Sequence, residues 1–174
     1  MAKLKSNVKM NKEKKLSKNF DPKTITISHI GTRGEGVANL YTDFDYKEQN
    51  YKFFIPFSLP NELVLAKPNY LSAEGIRAEL IELKQPSSER AEPECKHFFK
   101  CGGCTLQHWK FKNYNSWKTN KVSSQINTLS TNAEIKQMLT SSLRSRRHAK
   151  FIAKKTKSDT VIGFYEYKLS LIHI

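Results

Sequence analysis

Cysteine is scarce in this sequence: three residues in 174, all between Cys95 and Cys104. An odd number confined to one short stretch argues against a disulfide framework and leaves metal ligation or thiol chemistry. The sequence also lacks any apolar run of about 18 residues, the length a membrane-spanning helix needs. Its Lys-rich start, "MAKLKSNVKM", is not followed by an apolar stretch, so no secretory leader is expected and the chain is assigned to the cytoplasm. Acidic residues become rare after Glu94, with three in the last 80 positions against fifteen Lys and Arg. Glycine-rich phosphate-binding fingerprints are missing as well. Gly31, Gly34 and Gly36 lack the spacing and the following helix such a loop requires, and they read as a tight β-turn with a bulge.

What is present is a globular composition, 38% hydrophobic and 26% charged, with a net charge of +14. The charge is unevenly divided. Residues 1–23 carry eight Lys against Glu13 and Asp21, residues 24–94 carry seven bases against eleven acids, and the rest holds the large basic excess. A polyanion surface is therefore expected at and after the cysteines, with RNA or DNA as the partner.

Patterning divides the chain into four parts. Residues 1–23 have many like charges and no helical stripe, so they read as a basic flexible arm. Residues 24–86 offer short alternating strands separated by turn residues: Thr24 to Ile30, Val37 to Tyr41, "YKFFI" closed by Pro56, "NELVLAKPNY", and a last one from near Ile76 to before Pro86. That series predicts a small closed β-barrel of the oligonucleotide-binding type. Residues 87–109 form a cysteine module. Residues 110–174 read as an incomplete, basic α+β domain, and the fold class as a whole is mainly β with some α. Its helix, "FKNYNSWKTNKVSSQINTLS", is expected to turn Tyr114, Trp117, Ile126 and Leu129 to a core and Lys118 and Lys121 outward. Strands are expected from Arg146 to Lys154, from Val161 to Tyr167, and from near Leu171. The chain stops inside this last apolar run, which suggests a fragment.

The cysteine spacing is Cys95-x5-Cys101-x2-Cys104, with Gly102 and Gly103 between the last pair. Three chemistries fit it. An iron–sulfur cluster takes four thiolates, and residues without Cβ between two ligands let peptide N–H groups approach the sulfurs. A structural zinc would need a Cys₃His set completed by His97 or His108. A dithiol redox pair would use Cys101 and Cys104 and leave Cys95 idle. Phe98, Phe99 and Trp109 are expected to form a hydrophobic shell around the site.

The stretch "SSERAEPECKHFFKCGGCTLQHW" resembles the junction of the iron–sulfur branch of S-adenosylmethionine-dependent RNA (uracil-5-)-methyltransferases. Ser87, Arg90, Pro93, Cys95, Cys101, Gly102, Gly103, Cys104, Leu106, Gln107 and His108 match that family's Ser-x-x-Arg-x-x-Pro-x-Cys and Cys-Gly-Gly-Cys-x-Leu-Gln-His pattern. Gly34-x-Gly36-Val37-Ala38, Ile55-Pro56 and Leu59-Pro60-x-Glu62-x-Val64 are similar to its N-terminal TRAM domain; Asn61 stands where the family usually has Gly. The resemblance implies a [4Fe–4S] cluster held by Cys95, Cys101 and Cys104, with a fourth cysteine and the S-adenosylmethionine-binding catalytic domain beyond this chain or on a separate one. It implies ribosomal or transfer RNA as partner and no catalytic residue here. The phosphate contacts are expected at Arg144, Arg146, Arg147, Lys150, Lys154 and Lys155. The alternative is a stand-alone RNA-binding module with a Cys₃His zinc site.

Overall fold

A computed structural model describes residues 14–15, 20–44, 47–129, 134–142, 145, 147–165 and 171–173. The chain divides into two compact units, Met1–Ser87 and Ser88–Ile174.

The first unit is all β. Its strands are β1 (Lys14–Lys15), β2 (Lys23–Thr26), β3 (His29–Ile30), β4 (Gly36–Phe44), β5 (Lys47–Ile55), β6 (Leu63–Ser72) and β7 (Gly75–Gln85). The period-2 alternation read in the sequence points one side of each strand inward. Ile25, Ile27, Ala38, Tyr51, Phe53, Ile55, Val64, Ala66, Ile76 and Ala78 form one buried cluster. The sheet closes on itself because the segment from Lys23 to Ile30 serves two neighbours. Its first half pairs antiparallel with β6, Ile25 opposite Val64, and its second half pairs antiparallel with β4, His29 opposite Val37. At the bend, the Ile27 N–H donates to Glu62 O (2.9 Å) and the Ser28 N–H to Val37 O (2.8 Å), so the strand changes partner without losing its hydrogen bonds. Around the ring, β4 then pairs with β5, β5 runs parallel to β7, and β7 returns to β6. This is the connectivity of a five-stranded Greek-key barrel of the oligonucleotide-binding type.

Two local features show how the sequence accommodates the closure. Pro68 lies inside β6, where a central strand would reject it, and the register between β6 and β7 shifts between Pro68 and Tyr70, a bulge that absorbs the missing N–H. Asn61, opposite the usual Gly of the resembled family, has φ 65°. Asn tolerates that left-handed conformation better than most non-glycine residues, which explains why it can stand there. Lys14 and Lys15, inside the arm expected to be flexible, pair with Leu71 and Tyr70 of β6; the rest of residues 1–19 lies outside the described residues.

Gly36 is where β4 passes closest to the turn after β5. A Cβ there would run into Ser58 Oγ and stand 3.0 Å from Ile27 Cγ2, and Ser58 is itself fully buried and donates to Ile55 O (2.8 Å). Gly36→Ala is expected to destabilise the barrel by about 2 kcal/mol, the range for overfilling a packed site. Chemical denaturation would measure it, and an unchanged midpoint would show that the turn yields freely.

The second unit begins with the cysteine loop and continues into helix α1 (Phe111–Thr128). A three-stranded antiparallel sheet of β8 (Ile152–Lys155), β9 (Thr160–Tyr165) and β10 (Leu171–His173) follows. Two expectations change here. The strand expected from Arg146 starts at Ile152, because Arg147, His148 and Lys150 are all exposed and supply no apolar alternation to bury. The helix forms where expected, but none of its residues is buried and Leu129, its C-cap, is 70% exposed. Helical geometry gives the reason. At about 100° per residue, Trp117 and Ile126 lie roughly 180° apart around the axis, too wide for one buried stripe.

Candidate functional site

The cysteine loop is held at its neck. Arg90 and Trp109 form an isolated antiparallel bridge, the Ala91 N–H donates to His108 O (2.8 Å), and the Lys110 N–H donates to Glu89 O (2.9 Å). The Trp109 indole Nε1–H donates to Glu89 Oε2 (2.8 Å), so one carboxylate ties a largely buried aromatic to the incoming strand. Beneath the neck, Phe98, Leu106, His108 and Trp109 are buried, and the Phe98 ring lies 5.2 Å from the His108 ring. Phe98 and Trp109 thus occupy interior positions, as expected. Phe99 edges onto Phe98 at 4.9 Å but is 53% exposed, too open to belong to an enclosing shell.

The three cysteines of the loop are free and half-buried. Two tight turns lead from the first to the second. The Phe98 N–H donates to Cys95 O (2.9 Å), and the Cys101 N–H donates to His97 O (2.7 Å). Two of the sulfurs accept hydrogen bonds. The Gly103 N–H reaches Cys101 Sγ at 3.4 Å, and Gln107 Nε2 reaches Cys104 Sγ at 3.2 Å. The other end of the Gln107 amide, Oε1, accepts the Cys95 N–H at 3.3 Å. One side chain therefore spans the first and third cysteines. Sequence pattern included Gln107 only as a matching letter; its signal as a bridging residue is its place three positions after Cys104, within reach of that sulfur.

The donor set suits a thiolate-ligated centre. N–H groups aimed at sulfur stabilise a thiolate and tune a cluster bound to it. Among the described residues, however, no three His, Cys, Asp or Glu side chains are gathered in a group that could hold a metal ion, and neither His97 nor His108 joins the cysteines in one.

The basic surface is spread more widely than expected. Arg147 and Lys150 are exposed ahead of β8, and Lys154 and Lys155 are exposed on it; Arg144 and Arg146 lie outside the described residues. A second basic surface precedes these. No Asp or Glu occurs from Cys95 to Ala133, while Lys96, Lys100, Lys110, Lys112, Lys118 and Lys121 fall in that span, and all six are exposed. On the barrel, Lys52 Nζ and Arg77 Cζ lie 5.9 and 5.7 Å from the centre of the Phe54 ring, a smaller cation–aromatic cluster across the β5–β7 pair.

No family model matches the chain. Among individual proteins its relatives are RNA methyltransferases. An uncharacterized RNA methyltransferase of Brucella melitensis biotype 1 is 35% identical over 144 residues, which is 83% of this chain and 32% of that protein. One from Caulobacter vibrioides is 35% identical over 131 residues, 75% of this chain and 29% of its own length. A 23S rRNA (uracil(1939)-C(5))-methyltransferase of Shewanella baltica is 38% identical over 100 residues, 58% of this chain and 20% of its own length. The chain thus spans about a third of the length of the first two of these relatives.

Proposed function

We propose that this homologue of RNA methyltransferases is the RNA-gripping, cysteine-bearing portion of an enzyme that methylates C5 of a uridine in ribosomal or transfer RNA. The observation that carries the reading is one combination: an oligonucleotide-binding-type barrel followed by a Cys-Gly-Gly-Cys loop, in a chain 35% identical to an RNA methyltransferase over 83% of its length. The basic excess after Cys95 supports RNA as the partner, since phosphate neutralisation supplies most of the affinity of such surfaces.

Within that reading the 174 residues bind and orient, and the chemistry lies elsewhere. Methylating a base requires extruding it from its stack into a pocket. The cofactor S-adenosylmethionine and the nucleophile would come from the remaining length of the relatives' polypeptide or from a separate chain. Cys95, Cys101 and Cys104 would hold an iron–sulfur cluster as three thiolate ligands, with Gly103 N–H and Gln107 Nε2–H as donors to sulfur. The cluster would cross-link the loop and shield its thiolates from oxidation. Binding would draw the three sulfurs together, in a loop whose neck is already fixed.

Two measurements on the purified chain test this. Equilibrium binding to a fluorescein-labelled stem-loop RNA should be strong at low salt, and its logarithm should fall linearly with the logarithm of salt concentration. Labelled S-adenosylmethionine should transfer no methyl group to that RNA. Lack of affinity at low salt would sink the RNA-gripping role, and turnover would overturn the division between binding and chemistry.

A further inference from the structure

Helix α1 has no residue buried, yet its aromatic side chains are ordered among themselves. Tyr114 and Trp117 are stacked, with ring centres 6.4 Å apart and planes 29° from parallel. Trp117 also rests 6.0 Å from Trp109, whose indole is anchored to Glu89 and which is only 8% exposed. The pair therefore stands on a fixed base and loses little freedom on binding. One turn further along, Lys118 Nζ lies 4.8 Å from the Tyr114 ring centre and Lys121 Nζ lies 5.0 Å from that of Trp117. These i,i+4 placements follow from helical spacing. The helix itself carries no acidic residue, since it lies in the acid-free span from Cys95 to Ala133, and the carboxylate nearest to the rings, that of Glu89, is engaged by the Trp109 indole.

We infer that this face of α1 is a contact for single-stranded RNA, with bases stacking on Tyr114 and Trp117 while Lys118 and Lys121 swing from the rings to phosphates. Stacked rings interleaved with cations suit unpaired nucleotides, because every base offers a π-face and every linkage a charge. An acidic peptide would satisfy the lysines and leave the stacked rings unused. The contact is separate from the exposed bases at and before β8, and it rests on the RNA-binding reading above.

The test is fluorescence anisotropy of labelled oligouridine with the full 174-residue chain. Trp117→Leu is expected to weaken binding about tenfold, within the range for loss of one stacked base, with little change in salt dependence. Lys118→Gln with Lys121→Gln is expected to weaken binding and to flatten the salt slope by roughly 1.4, for two phosphates of a single strand. If wild-type protein fails to bind any RNA, the function proposed above fails and this contact with it. If wild-type protein binds and both variants bind equally well, only the α1 contact is overturned, and the helix face is left to protein packing. Should Trp117→Leu not fold by circular dichroism, titrating wild-type tryptophan emission with oligouridine decides the matter. Quenching supports stacking on Trp117, and unchanged emission at saturation refutes it.

Discussion

Anaerobic reconstitution is expected to load the wild-type chain with iron and sulfide and to give it a broad visible absorbance, and replacing any one of Cys95, Cys101 or Cys104 by Ser is expected to abolish both. Three thiolates are already one short of the four that iron–sulfur clusters take, so a single loss leaves two. Serine is a hard oxygen ligand and does not substitute for a soft thiolate. A more discriminating variant is Gln107→Glu. It keeps the side-chain shape and the acceptor for the Cys95 N–H, but it turns the donor toward Cys104 Sγ into a carboxylate oxygen. A negative oxygen beside a thiolate repels it, so iron retention should fall about 10- to 100-fold, the usual cost of losing a partner behind the ligands. Gln107→Ala should fall less, since it removes the donor without adding charge. Iron and sulfide analysis with visible absorption reads both. A colourless wild-type protein holding one equivalent of zinc would replace the cluster with the Cys₃His alternative, and full iron in all three Ser variants would remove these cysteines from any metal site.

The largest expected effect on stability comes from Glu62. It is fully buried within the barrel unit. Its Oε2 accepts the Leu59 N–H at 2.8 Å and its Oε1 accepts the Ser87 N–H at 3.2 Å. Its own peptide carbonyl accepts the Ile27 N–H at the bend of the closing strand. Glu62 thus joins three places that must meet for the barrel to close: the bend, the turn after β5, and the exit of β7. Glu62→Ala would strand two buried N–H groups at about 1–3 kcal/mol each. We expect a total loss of about 4 kcal/mol and a melting temperature lower by about 15 °C or more. Glu62→Gln keeps one acceptor and should lose roughly half as much. Calorimetry or thermal circular dichroism measures both, and an Ala variant melting within a degree or two of wild type would show that water replaces the carboxylate.

How much of this was legible beforehand differs by element. The barrel strands were readable because period-2 alternation is local: Phe53 and Ile55 declare an inward face without reference to any other segment. The junction "KHFFKCGGCTLQHW" was readable as a match of letters, and the relatives bear out the RNA methyltransferase resemblance it carried. The helix was placed correctly along the chain, but its burial was not. Apolar residues spaced roughly at helical intervals do not share a face unless their angles coincide. The expected strand from Arg146 failed at its start for a similar reason, since strand formation there depends on a partner that only β9 supplies, from Ile152 onward.

Residue order alone fixed the alternating strands, the turn residues, the concentration of cysteines and the basic excess after Glu94, all of which are properties of neighbouring residues. Tertiary structure decided what depends on distant residues meeting. One strand bends at Ile27 and Ser28 to serve two partners, Glu62 finds its donors 3 and 25 positions away, and Trp109 stands under Trp117 while held by Glu89. Hydrogen bonds and ring contacts of this kind are fixed by three-dimensional closure, because chain connectivity alone leaves their partners undetermined.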